Sequence, residues 1–174
     1  ATQGLTLTAT VSDDDGVTGI TYQWKRGSIN IGTNSATYVL VQDDVGSTIT
    51  VNAQYDDDQS TAENVTSVAT ATVTNVNDAG SVAISGTATQ GLTLTATVSD
   101  DDGVTGITYQ WKRGSTVIGT NSATYDLVQA DVGLTITVNA QYDDDQNTAE
   151  NVTSAETATV TNVNDAGSVA ISGT

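Results

Sequence analysis

Ile20-Thr21-Tyr22-Gln23-Trp24-Lys25-Arg26 alternates apolar and polar side chains, so an extended backbone places Ile20, Tyr22 and Trp24 on one face and Thr21, Gln23 and Lys25 on the other. The same seven letters return at Ile107 to Arg113, 87 positions later. The whole 174-residue chain is two copies of that unit, differing at Ile29/Thr116, Asn30/Val117, Val39/Asp126, Asp43/Ala130, Ser47/Leu134, Ser60/Asn147, Val68/Ala155 and Ala69/Glu156. A period this long fits a small globular domain in tandem, since solenoid repeats run to ~20–50 residues.

Working outward from Trp24, other segments share the period of two. Upstream, Leu5, Leu7, Ala9 and Val11 alternate with threonines; downstream, Thr48 to Tyr55 sets Ile49, Val51, Ala53 and Tyr55 on one face. Ala36 to Val41 reads as a strand with Tyr38 and Leu40 inward, because the second copy tolerates Asp126 in place of Val39. Val65 to Val76 reads as one long strand of ambiguous parity, with room for a bulge, because Ala69 becomes Glu156 while Val73 shares its side. Ser81 to Gly86 is one more short strand, Val82 and Ile84 inward. Gly, Asp and Ser turns separate these strands and no helical period is present. The prediction is an all-β protein of two tandem antiparallel immunoglobulin-like β-sandwiches joined by a short linker, with Trp24 and Trp111 as central core residues. The expected boundaries are residues 1–76 for a first sandwich without its own first strand, 77–163 for the second, and 164–174 for a linker and the first strand of a following repeat. Asn75 to Gly80, repeated at Asn162 to Gly167, is then a string between beads.

Asp and Glu number 21 against 4 Lys and Arg, a formal net charge of -17. Such a chain is repelled by nucleic acid and by anionic membranes, and attracts cations. With Cys 0 and His 0, disulfides, the usual zinc ligands and the usual general base are all missing. No apolar run is long enough to cross a membrane. The missing Cys fits an extracellular bacterial protein, and the missing initiating Met suggests an excerpt of a longer one.

Thr21-Tyr22-Gln23-Trp24-Lys25-Arg26, the run Leu40 to Val51, the acidic loop Tyr55 to Gln59 and the closing Val76-Asn77-Asp78-Ala79 resemble the tandem immunoglobulin-like or cadherin-like extender repeats of giant bacterial surface adhesins of the repeats-in-toxin type. The resemblance covers both units. It implies a non-enzymatic extender secreted to the bacterial cell surface, in which calcium stiffens the junctions and a distal ligand-binding domain is held away from the cell. Biofilm formation and cell adhesion are the contexts it suggests. Gly80 departs from the pattern, standing where related linkers often carry Pro, and glycine-rich nonapeptide calcium repeats are absent.

The acidic clusters are the candidate site. In such a sandwich the loop after the second strand and the loop before the last strand emerge at one end, where the first strand enters. Asp100, Asp101 and Asp102, Asp143, Asp144 and Asp145, and the linker pair Asn77 and Asp78 are therefore expected to converge. Hard oxygen ligands from several flexible loops suit Ca²⁺, with its 6–8 oxygens, better than Mg²⁺. Asp13, Asp14 and Asp15 with Asp56, Asp57 and Asp58 form the weaker counterpart in the first unit, and Asn164 and Asp165 are the second linker's pair. The competing readings are solvated turns and an acid/base pair for glycoside hydrolysis; the latter needs a cleft with exposed aromatics, which these loops do not supply. A carbohydrate- or cell-binding module acting through the acidic loops is the alternative function. The expected partners are neighbouring repeats of the same chain, without nucleic acid or membrane insertion. Head-to-tail strand exchange between molecules is also expected, because Ser168 to Gly173 repeats Ser81 to Gly86.

Overall fold

The alternation around Trp24 becomes the central strand of a four-stranded sheet. The computed structural model describes Ala1 to Gly173, and the chain divides into two units, Ala1–Asn77 and Asp78–Thr174. In unit 1, β1 (Thr6–Thr8), β2 (Thr18–Arg26), β3 (Ile29–Ile31), β4 (Thr37–Val39), β5 (Ile49–Asp56) and β6 (Ala62–Thr66) form one sheet of order β3-β2-β5-β6 and a second of only β1-β4. All strand pairs are antiparallel, and Trp24 lies opposite Val51. Trp24, Leu40, Ile49, Val51 and Val73 make the core, with Leu7 and Tyr38 packed against it. The indole N–H donates to the Ser35 carbonyl at 2.8 Å, and the ring stacks on Tyr38 at 5.7 Å. A buried Trp needs such an acceptor to avoid an unpaired donor.

Unit 2 repeats the plan with one addition. Its strands are β7 (Ser81–Ser85), β8 (Thr93–Ser99), β9 (Thr105–Arg113), β10 (Thr116–Ile118), β11 (Thr124–Asp126), β12 (Ile136–Asp143) and β13 (Ala149–Thr153), in sheets of order β10-β9-β12-β13 and β11-β8-β7. The added strand is β7. It pairs with β8 from Ser81↔Ser99 to Ser85↔Thr95 and contributes Val82 to a core of Leu94, Ala96, Trp111, Leu127, Ile136, Val138, Ala140 and Val160. With this partner β8 runs for seven residues, where β1 runs for three. Ser168 to Gly173 forms no strand.

Two expectations need correction. Leu5 and Leu92 are exposed, not inward, because the pairing bulges there: the Leu40 amide donates to the Leu5 carbonyl at 3.0 Å while the Leu40 carbonyl accepts from the Gly4 amide at 2.9 Å, and Leu127 does the same with Leu92 and Gly91, so two residues oppose one and the side-chain alternation slips. The long strand from Val65 to Val76 is also not continuous. Beyond Thr66 the ladder to β5 is part backbone and part side chain: the Ser67 and Thr70 amides donate to the Val51 and Ile49 carbonyls, both at 2.9 Å, while Ser67 Oγ accepts from the Val51 amide at 3.1 Å and Thr70 Oγ1 from the Ile49 amide at 3.0 Å. The chain then makes parallel bridges from Val73 to Val45 and from Thr74 to Thr2. Hydroxyls standing in for backbone carbonyls break the period of two, which is why the parity was ambiguous.

Each unit also encloses one fully buried carboxylate. Asp131 accepts from Arg113 Nη1 at 2.9 Å, the Tyr125 hydroxyl at 3.0 Å and the Val128 amide at 2.8 Å. Asp44 does the same with Arg26, Tyr38 and Val41. These contacts hold the 3-10 turns Gln42–Asp44 and Gln129–Asp131 against the sandwich.

Candidate metal centre

In unit 2 the two acidic loops meet at the end of β8. The Asp145 amide donates to the Asp102 carbonyl at 3.0 Å, and the Tyr142 hydroxyl to Asp100 Oδ2 at 2.7 Å. Asp100 Oδ1 accepts from the Asp102 amide at 2.9 Å, a side-chain turn that an Asp-Asp-Asp-Gly sequence favours. Asp144 Oδ1 accepts from the Gln146 and Thr148 amides at 2.8 and 2.7 Å, around Asn147 at φ 64°. The linker joins this assembly, because the Asp78 amide donates to Asp102 Oδ2 at 2.7 Å.

Two oxygens are left over. Asp102 and Asp144 are each only 2% exposed, and Asp102 Oδ1 and Asp144 Oδ2 are buried without accepting any hydrogen bond. Buried carboxylate oxygens without a donor are costly, because no solvation replaces the water they lost. Their chemistry is that of hard-cation ligands. The carboxylates form a loose group, however: among the described residues no three of them close on one point as a ready-made metal site. The Tyr142 hydroxyl has its pKa pushed up, first by burial and then by its hydrogen bond to Asp100, so it stays a donor and leaves Asp100 an acceptor.

Unit 1 carries the same loops without a linker over them. The Tyr55 hydroxyl donates to Asp13 Oδ2 at 2.8 Å, the Asp58 amide to the Asp15 carbonyl at 3.0 Å, and Asp57 Oδ1 accepts from Gln59 and Thr61. Asp13 is held below the usual carboxylate range, chiefly by the Asp15 amide and then by Tyr55. Tyr55 is pushed up to about 12, first by that hydrogen bond. Asp57 is buried, but Asp15, the counterpart of Asp102, is exposed.

The other acidic residues stand apart. Asp14, Asp56, Asp58, Asp101, Asp143 and Asp145 are exposed, although Asp145 folds its carboxylate over Gly103, where a Cβ would collide with it. Asn77 is exposed and belongs to unit 1, while Asp78 belongs to unit 2. Asn164 is exposed, and Asp165 accepts from Gln90 Nε2 at 3.1 Å, beyond the opposite end of β8.

Gly80 was legible only as a departure from a pattern. A Cβ there would fall on the Tyr142 hydroxyl and lie 2.7 Å from Asp100 Oδ2, so the Tyr142 to Asp100 hydrogen bond and any side chain at position 80 exclude each other. Asp44 and Asp131 were missed as well. Their signal was present in the repeat, where the neighbouring Asp43 becomes Ala130 while this Asp stays.

No protein family matches the sequence, and no curated protein is significantly similar to it. Three solved structures illustrate a distant likeness. The ectodomain of mouse nectin-like molecule 4 is 13% identical, with a TM-score of 0.41 over 95% of this chain and 67% of its own. A Ca²⁺-stabilized adhesin with which an Antarctic bacterium reaches out and binds ice is 17% identical, with a TM-score of 0.37 over 94% of this chain and 45% of its own. Fibronectin(III)-like modules of Clostridium thermocellum CbhA are 18% identical, with a TM-score of 0.30 over 92% and 88%. These neighbours are immunoglobulin-like and fibronectin-like β-sandwich domains.

Proposed function

We propose that the chain is a tandem pair of non-enzymatic extender modules of a bacterial cell-surface adhesin, with a Ca²⁺ ion at the acidic pole of the sandwich. The observation that carries the metal is the pair of buried, unpartnered oxygens, Asp102 Oδ1 and Asp144 Oδ2. Asp102 and Asp144 would hold the ion, and Asp100 and Asp145 lie on the same two loops. Backbone carbonyls and water would complete a shell of 6–8 oxygens. When bound, Ca²⁺ would supply positive charge among carboxylates of a chain at net -17. The ion's structural effect would be to fix the two loops, and with them the linker amide of Asp78, against each other. Favouring an extender over direct carbohydrate binding, the aromatic residues beside these loops, Tyr55 and Tyr142, are buried with their hydroxyls committed to Asp13 and Asp100. An extracellular setting agrees with this reading, and among the described residues no helix is long and apolar enough to cross a membrane.

The test is Ca²⁺ titration of the full chain by calorimetry, with Tm and small-angle scattering in Ca²⁺, Mg²⁺ and chelator. At ten times Kd, one site adds about 1.4 kcal/mol by mass action, and Asp144→Asn should abolish the rise in Tm. Equal Tm in Ca²⁺ and chelator, with no binding heat, would overturn the metal assignment.

A further inference from the structure

Each unit ties an early segment of its chain to its last one, side by side and running the same way. In unit 2 a parallel bridge joins Thr89 to Thr161. The Gln90 amide donates to the Thr161 carbonyl and the Thr161 amide to the Ala88 carbonyl, both at 2.9 Å, and the two threonine hydroxyls meet at 2.8 Å. The Gln90 side chain closes the contact with both ends of its amide: Oε1 accepts from the Val163 amide and Nε2 donates to Asp165 Oδ2, each at 3.1 Å. Unit 1 repeats the plan, with a parallel bridge from Thr2 to Thr74, the Gln3 amide on the Thr74 carbonyl at 3.0 Å and the Val76 amide on Gln3 Oε1 at 3.1 Å. The last segment is gripped on its other side as well. The Gly133 amide donates to the Val160 carbonyl and the Val160 amide to the Leu134 carbonyl, both at 2.9 Å.

The direction of these bonds matters once the chain is pulled. It enters unit 2 at the acidic pole, where the Asp78 amide meets Asp102, and leaves past Asp165 at the opposite end. Tension along the chain draws residues 88–90 back toward the pole and residues 161–163 away from it. In a parallel pair those two pulls oppose each other along the strand axis, so the bonds are sheared together and share the load. An antiparallel pair would bring both ends of the unit to one side, and tension would open its bonds one at a time. β7, which runs from Ser81 at the pole to Ser85, is drawn along its own axis against β8 in the same way. The bond from Val163 to Gln90 spans 73 residues. While it holds, the residues between are shielded from load; when it breaks, about 250 Å of extended chain is released.

We propose that each unit is a tension-bearing element, in which residues 88–90 against 161–163, and Thr2 and Gln3 against residues 74–76, form a shear clamp latched by the side chains of Gln90 and Gln3. This deepens the extender reading and rests on it, because a rod that holds a distal domain passes load through every unit in turn.

The experiment is constant-force unfolding of the full chain, held by cysteines added at its two ends; the chain has no Cys of its own to compete. Chelator keeps metal out, so failure here would refute the clamp alone and leave the extender and Ca²⁺ readings to their own test. Each unit should unfold in one step. Gln3→Ala should speed one step and Gln90→Ala the other, each at least about 10-fold, the effect of taking one or two hydrogen bonds from the barrier. Gln141→Ala, which removes a side-chain bond to Asn139 outside both end segments, should leave both steps at the wild-type rate. In denaturant without load, unfolding is not forced through the ends, so Gln3→Ala and Gln90→Ala should accelerate it by less than they do under load. The proposal is overturned if either variant unfolds under load at the wild-type rate, if Gln141→Ala accelerates unfolding as much, or if the acceleration is the same with and without load.

Discussion

Gly80→Ala, compared with Gly167→Ala, isolates what the linker does. The two glycines occupy equivalent places in the repeat and neither has a positive φ, so the entropic gain of replacing Gly, about 0.4–1 kcal/mol, is common to both. Their surroundings differ. A Cβ at Gly167 would meet nothing within 4 Å, whereas at Gly80 it would lie 2.7 Å from Asp100 Oδ2 and 2.9 Å from Tyr142 Cζ. Something must move. If Tyr142 moves, its hydrogen bond to Asp100 is lost; if the linker moves, the bond from the Asp78 amide to Asp102 is lost. Each is a hydrogen bond to a carboxylate, worth about 1.5–3 kcal/mol, so the difference between the variants should be about 1.5–3 kcal/mol. For a domain of ~5–10 kcal/mol that is a large share. Denaturant unfolding in a Trp24→Phe background, where Trp111 fluorescence reports unit 2 alone, measures the difference. Midpoints for Gly80→Ala and Gly167→Ala that agree within error would refute the packing argument and remove the linker from the pole.

Other perturbations test the rest of the fold. Asp131→Ala strands the Arg113 guanidinium and the Tyr125 hydroxyl and should cost unit 2 about 3–5 kcal/mol, whereas Asp43→Ala, which removes only an exposed ion pair to Arg26 at 3.7 Å, should stay within about 0.5 kcal/mol; equal midpoints in denaturant would disprove the buried-node reading. Burial and the hydrogen bonds to Asp44 and Asp131 push Tyr38 and Tyr125 up to about 12, against about 10 when unfolded. Between these values the unfolded chain gives up protons that the folded chain keeps. The stability is therefore complete below about pH 10 and falls as pH rises toward 12. Phenolate absorbance against pH reads this directly, and Tyr38 or Tyr125 titrating at the ordinary value would contradict it.

Much of the sandwich was legible because alternation reports burial wherever one face is dry and backbone pairs with backbone. Ile49, Val51, Ala53 and Tyr55 are buried down β5 in strict order, and Val39, given up to Asp126 in the second copy, is exposed. The failures fall where that condition lapses. From Ser67 to Val73 hydroxyls take the place of carbonyls as acceptors in the ladder, and at Gly4 and Leu5 two residues oppose the single Leu40. Asp44 and Asp131 were hidden for another reason: a buried carboxylate and a solvated turn residue are the same letter, and only the Arg, Tyr and amide donors gathered around it distinguish them. The acidic pole was half legible. Sequence placed both Asp triplets on neighbouring loops, but could not tell that Asp102 is buried and its counterpart Asp15 exposed.

The cause of that last difference revises the picture of the linker as a string. Within eight residues, the segment from Asp78 to Ser85 donates an amide to Asp102, passes Gly80 against the Tyr142 to Asp100 hydrogen bond, and continues as β7 into the core through Val82. These are three attachments of one short stretch to unit 2, made to the acidic pole at one end and to apolar core at the other. A ligand that tightened the pole would hold the segment at the point where the strand enters, and a strand well seated in the core would bring Asp78 to Asp102. If the proposed ion binds at the pole, its affinity and the seating of β7 are linked, and each would raise the other by the same factor.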